Sequence, residues 1–160
     1  MAAAAVVDGR DTGFPFPYNE TGVTPFGGNF TIATTSLDAA NDKVVLFGPF
    51  PRGNCYVTKL EVYWPVAADQ GAGLVWDLSK GDLDGTIDSG AELIDASTVG
   101  QSAGADVLDA DNLMFDMSST TTGKYLILHC KTAAATAAAS ASVFNVYGEY
   151  VNGLLKEGVD

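Results

Sequence analysis

The residues able to do chemistry in this chain are few, and most are acids. Between Lys80 and Lys124 there is no lysine or arginine, while Asp82, Asp84, Asp88, Glu92, Asp95, Asp106, Asp109, Asp111 and Asp116 all fall there. Asp82, Asp84, Asp88 and Glu92 offer the several oxygen ligands that calcium takes from one loop. The helix–loop–helix calcium pattern wants Gly sixth and Glu twelfth. Counted from Asp82, Gly85 is fourth and Glu92 eleventh, so the spacing does not match. The stretch is read as a solvated acidic turn, and no metal is assigned. His129 is the single histidine and adjoins Cys130. A Cys–His nucleophile needs both side chains converging, but neighbours on a strand point to opposite faces. His129 is therefore read as structural. There is no G-x-S-x-G, no phosphate loop and no zinc spacing. The expectation is a protein without catalytic residues or cofactor, and not an enzyme.

The elements that carry these residues read as strands. Asn54 to Trp64 is the longest β-favouring run, with Tyr56, Thr58, Leu60, Val62 and Trp64 on one face and Cys55, Lys59 and Glu61 on the other. Leu74, Trp76 and Leu78 alternate with Val75, Asp77 and Ser79; Leu126, Leu128 and Cys130 with Ile127, His129 and Lys131; Phe144, Val146 and Tyr150 with Asn145, Tyr147 and Glu149. Trp64 and Trp76 share the core phase, so they are not read as a sugar platform. Asn29 to Thr35 and Lys43 to Phe47 add two strands, and Asn112 to Met117 a short one. Gly100 to Asp111 reads as polar loop. Ala91 to Thr98 reads as a short helix capped by Ser89. Ala133 to Ala141 reads as the small-residue connection of a long hairpin, against its intrinsic helix propensity. Matching amphipathic strands imply antiparallel sheets over one core. The fold class expected is an all-β, single-domain antiparallel β-sandwich of jelly-roll type, spanning 29–151.

Composition narrows the partners. The chain has 160 residues and is 47% hydrophobic, enough for one domain with a core. Its formal charge is −12, from 20 acids against 8 bases. Without a basic cluster to displace counterions, nucleic acid is not an expected partner, and an anionic membrane surface would repel the chain. No run reaches the ~18 apolar residues of a membrane span. Met1 to Val7 is apolar but lacks the basic start of a signal peptide. On the register above, Cys55 and Cys130 point to different faces, so a disulfide is not expected and two thiols suit a reducing compartment. The two N-x-T matches, at Asn19 and Asn29, are read as chance.

Residues 1–28 stand apart as an extended N-terminal arm, and 152–160 as a polar tail. Alternating aromatic and proline residues from Phe14 to Tyr18, and again from Pro25, oppose helix and favour extended backbone. Phe14, Phe16, Tyr18 and Phe26 are the candidate partner-binding residues, because aromatic anchors dominate interfaces and prolines lower the entropy lost on docking.

Several segments resemble a known family. Asn41-Asp42-Lys43-Val44-Val45-Leu46, Phe50-Pro51-Arg52-Gly53 leading into the strand to Trp64, Leu74 to Leu78 ending in Lys80-Gly81-Asp82-Leu83-Asp84-Gly85, and Tyr125-Leu126-Ile127-Leu128 followed by an Ala/Thr-rich link and Val143 to Tyr150 are similar to the capsid decoration, or cement, proteins of tailed phages. The likeness covers about residues 41–151. It implies a structural virion protein, made in the host cytoplasm and placed on the outer capsid surface. It implies the major capsid protein as partner, and a homotrimer. The alternatives are a receptor- or carbohydrate-recognition module of a tail or fibre, which exposed aromatics in a groove would favour, and an enzyme on a jelly-roll scaffold, which a single histidine disfavours.

Overall fold

The computed structural model describes residues 5–9, 23–109 and 114–152. Ten strands are present among them: β1 (Val6–Asp8), β2 (Val23–Ile32), β3 (Lys43–Phe47), β4 (Cys55–Trp64), β5 (Val75–Gly81), β6 (Ile87–Ser97), β7 (Gly104–Val107), β8 (Phe115–Asp116), β9 (Tyr125–Thr132) and β10 (Ser142–Asn152). They form two sheets, in the orders β1-β3-β9-β5-β6 and β2-β10-β4-β7, with β8 also paired to β4. Every pairing is antiparallel except β1 with β3. Setting aside β1 and β8, successive strands cross from one sheet to the other except at the β5–β6 hairpin. The chain thus winds back and forth between the two sheets of a β-sandwich.

The core lies between the sheets. Leu60, Val62, Trp64, Trp76, Leu126, Leu128, Phe144 and Val146 are all buried, in the phase their alternation predicts. Trp64, Trp76 and Phe144 pack with ring centroids 4.9–6.2 Å apart. A buried indole N–H needs an acceptor. Trp64 Nε1 donates to Ser142 Oγ at 3.0 Å, and Trp76 Nε1 to the Val99 carbonyl at 2.6 Å. At the other end, Phe26, Phe30, Phe47, Phe50 and Tyr150 form a second aromatic group.

Several expectations are corrected. The phase of β4 changes midway: Cys55 and Val57 are buried, then Leu60, Val62 and Trp64. Glu149 pairs with Lys59 but Tyr150 with Val57, so an extra residue at Thr58–Lys59 forms a bulge. Cys55 therefore enters the core, while Tyr56 and Thr58 are only half-buried. The helix expected at 91–98 is strand β6. Its buried residues Ala91, Leu93, Ile94 and Ser97 break strict alternation because of a series of register shifts against β5. The polar loop at 100–111 contains β7. β9 and β10 are not a hairpin: they lie in opposite sheets, and Ala133–Ala141 crosses between them.

That crossing is pinned by Asp69, which is fully buried. Its carboxylate accepts from the amides of Gly71 (2.7 Å), Gly73, Leu74 (2.7 Å), Ala135 (3.2 Å) and Thr136 (3.2 Å). The outer face of the β9 sheet is also less exposed than alternation suggests. Val45, Ile127, Asp77 and Ser79 are buried there. The β5–β6 turn bends over this face: Gly85, at φ 86°, lies so close to Val6 that a Cβ would fall 2.8 Å from its methyl.

Candidate functional site

The acidic turn joins β5 to β6 and is closed by backbone bonds from Asp82 N to Thr86 O (2.8 Å) and Gly85 N to Asp82 O (3.0 Å). Asp84 Oδ1 accepts from the Thr86 amide at 2.9 Å. The ammonium of Lys124, at the start of β9, donates to Asp82 Oδ1 and Asp88 Oδ1, both at 2.9 Å. Its pKa is raised, first by the bond to Asp82. Lys80 lies 4.0 Å from Asp88 and donates to the carbonyls of Asp116 (3.0 Å) and Ser118 (3.2 Å). Glu92 belongs to another place, opposite Ser79 on β6. The four acids proposed as oxygen ligands are thus divided, and two face a lysine where a cation would sit. Among the described residues, no group of three or more His, Cys, Asp or Glu side chains is arranged to hold a metal ion.

His129 and Cys130 do point apart. Cys130 is fully buried, its Sγ directed at the Leu37 carbonyl 3.7 Å away. The half-buried His129 lies on the outer face, with Nδ1 3.7 Å from Asp77 Oδ2 and Nε2 3.4 Å from Asn41 Oδ1. Burial lowers its pKa, so the imidazole is neutral near pH 7. Burial raises the pKa of Asp77, which the Ala96 amide (2.7 Å) and Lys131 (3.2 Å) oppose. Lys131 also binds Asp95 at 2.8 Å. The group ties β5, β6 and β9 together. The Cys130 thiol is not part of it, because it lies on the core side of the sheet.

Of the candidate partner-binding aromatics, Phe14, Phe16 and Tyr18 lie outside the described residues. Phe26 is a correction. It sits in β2, 3% exposed, with its ring against Phe47, Phe50 and Tyr150. Gly148 has no side chain because Phe26 occupies the space a Cβ would need. Two parts of the expected arm of residues 1–28 are paired strands: Val6–Asp8 is β1, beside β3, and residues 23–28 belong to β2, which pairs with β10 from Val23 to Ile32. Pro25 and the Gly27–Gly28 pair hide the strand in sequence, yet proline is tolerated here because β2 is an edge strand.

Among the described residues, the exposed aromatics lie elsewhere, on the outer face of the β10 sheet. Tyr63 and Tyr147 are 48% and 43% exposed. Direct pairing places Tyr63 beside Ala105 on one side and Asn145 on the other, with Asn29 beyond. The next row runs Val107, Glu61, Tyr147, Gly27. A shallow depression runs between these rows. The signal in the sequence is an aromatic at an outward position of a strand: Tyr63 falls between Val62 and Trp64, and Tyr147 outside the Phe144–Val146 phase.

No known protein family and no curated protein matches the chain. The fold does match solved structures. It is similar to a chain in the capsid of Ralstonia phage GP4, with a TM-score of 0.68 and 23% identity, over 87% of this chain and 90% of that one. It is also similar to a chain in the capsid asymmetric unit of cyanophage Pam1, with a TM-score of 0.54 and 19% identity, over 86% and 91%. At these identities the likeness is one of fold.

Proposed function

We propose that this chain is a structural protein of a tailed-phage head, which sits on the outer capsid surface and stabilises the lattice of the major capsid protein. The observation that carries the reading is the fold's match to a GP4 capsid chain over nearly the whole length of both. The sequence resemblance to decoration proteins supports the same role, and the role is non-enzymatic. Its physical basis is mass action: a subunit that binds only the assembled lattice shifts the equilibrium away from disassembly. A homotrimer bridging neighbouring capsomers would add avidity. Phe14, Phe16 and Tyr18 are the proposed anchors on neighbouring subunits.

The test mixes the purified protein, made in the bacterial cytoplasm, with empty heads lacking it, and examines the particles by electron microscopy and thermal disruption. The expected result is added density in three-fold clusters on the outer surface and heads that break at higher temperature. Shells assembled from this chain alone would make it a lattice-forming capsid protein and overturn the decorating role. Failure to bind heads would overturn it too.

A further inference from the structure

We propose that the outer face of the β10 sheet is a binding site for a neutral oligosaccharide, centred on Tyr63, Asn145 and Asn29. This inference is independent of the capsid role, since it concerns a face that the purified chain carries by itself.

Among the described residues, the one lysine on this face is engaged by its neighbours. Lys59 Nζ lies 3.5 Å from Glu61 and 5.2 Å from the centre of the Tyr147 ring. The Tyr147 hydroxyl donates to Glu149 at 2.9 Å. Asp106, which also lines the depression, accepts from the Ser97 hydroxyl at 2.6 Å and from the Val107 amide at 2.9 Å. Among the described residues, Tyr63 makes no ring or cation contact, and the side-chain amides of Asn29 and Asn145 make no hydrogen bond. The two amides stand directly opposite each other across the β2–β10 pairing, and Asn145 stands opposite Tyr63.

Each carboxamide presents an acceptor and a donor side by side. Two adjacent sugar hydroxyls need that pairing. An exposed tyrosine ring offers a flat, electron-rich surface to the C–H face of a pyranose. Ala105 and Gly27, at the ends of the two rows, leave the depression open for a chain of sugar units to run across the strands. An anionic ligand finds no free cation here and meets Glu61, Glu149 and Asp106, while a cationic one finds these carboxylates already bonded. A docked protein would bury both amides and would have to match each one, whereas a polyol carries donors and acceptors at every ring position.

The test is affinity electrophoresis of the native protein in gels containing a neutral glucan, mannan, galactan or xylan, with polygalacturonate as the anionic counter-probe. It is followed by calorimetric titration with the hexasaccharide of whichever polymer retards it. Retardation by at least one neutral polymer is expected, with binding weakened by about tenfold in both Tyr63→Ala and Asn145→Ala. Both side chains face outward, so the thermal melts should match the parent's and a lost interaction is not lost folding. The proposal is overturned if no neutral polymer retards the protein, if only polygalacturonate does, or if both variants bind as the parent does. It is also overturned if Tyr63→Ala loses binding to empty heads while the parent ignores every sugar, because the face would then be a protein interface.

Discussion

At the scale of the residue, Asp69 does more than its position in a loop suggests. Five backbone amides converge on its carboxylate and tie the β4–β5 loop to the alanine-rich crossing. Although burial works against the charge, these bonds hold its pKa well below the ordinary carboxylate value of 3.8. Its contribution is therefore complete above the unfolded pKa, near pH 4, and is lost as pH falls toward the lower folded value. Asp69→Asn should lower stability by about 1.5–3 kcal/mol at neutral pH. It should also reduce the acid-side loss of stability, so the two urea midpoints should converge as pH falls below about 4. Parallel midpoints across that range would show that the charge is not what matters. The cysteines give a second prediction at this scale. Burial pushes the thiol pKa up to about 12 for Cys55 and about 11 for Cys130. The thiolate is the reactive species. Both cysteines should resist a thiol-directed chromophore in the native protein and react together once the sandwich opens in denaturant.

At the scale of the element, β4 is the strand on which the packing turns. It pairs with β10, β7 and β8, and its inward side chains change phase at the Thr58–Lys59 bulge. Period-two alternation means that one residue gained or lost moves all later side chains to the other face. Thr58 is the exception, because it is the unpaired residue of the bulge: without it Val57, Lys59 and Leu60 alternate regularly, and Cys55, Val57, Leu60, Val62 and Trp64 all stay inward. Deleting Thr58 should therefore leave a cooperative melt, and loss of that melt would show that the bulge itself, not alternation alone, seats the core. Trp64→Ala probes the core itself. It leaves the register intact, removes a fully buried ring and frees Ser142 Oγ. A loss of about 3–5 kcal/mol is expected, read from urea unfolding. A loss below about 1 kcal/mol would mean that the tryptophan cluster is not the centre of the core.

At the scale of the whole molecule, the boundary between arm and sandwich decides what truncation does. Domain stability is about 5–15 kcal/mol. Deleting residues 1–28 removes Phe26 and six of the ten residues of β2, which are Val23 to Gly28. Losing one buried phenylalanine costs about 3–5 kcal/mol before the lost ladder is counted. That truncation should abolish the cooperative melt. Deleting residues 1–22 spares β2 and removes only β1 from the described strands, so the melt should persist at a lower temperature. Equal melts for the two truncations would place β2 outside the cooperative unit.

The sequence by itself determined the class of fold and most of its core. Alternation in the segments ending at Trp64, Leu78, Cys130 and Tyr150 is a local property of extended backbone, and two sheets closing on one core follow from burying one face of each. It also separated His129 from Cys130, because adjacent strand residues must diverge. Tertiary structure alone decided where strands bend and what they meet. The bulge that sends Cys55 inward exists only in the pairing of β4 with β10, and the irregular burial of Ala91, Leu93, Ile94 and Ser97 reads as strand only when β5 is laid beside it. Phe26 reads as an exposed anchor until β10 supplies Gly148 to receive it. Lys124 reaches Asp82 and Asp88 across a separation of 42 and 36 residues. Tyr63 becomes a candidate site only when Asn145 and Asn29 line up beside it. Local pattern dictates conformation, but a site is a set of contacts between distant segments, and those depend on register, which no single strand encodes.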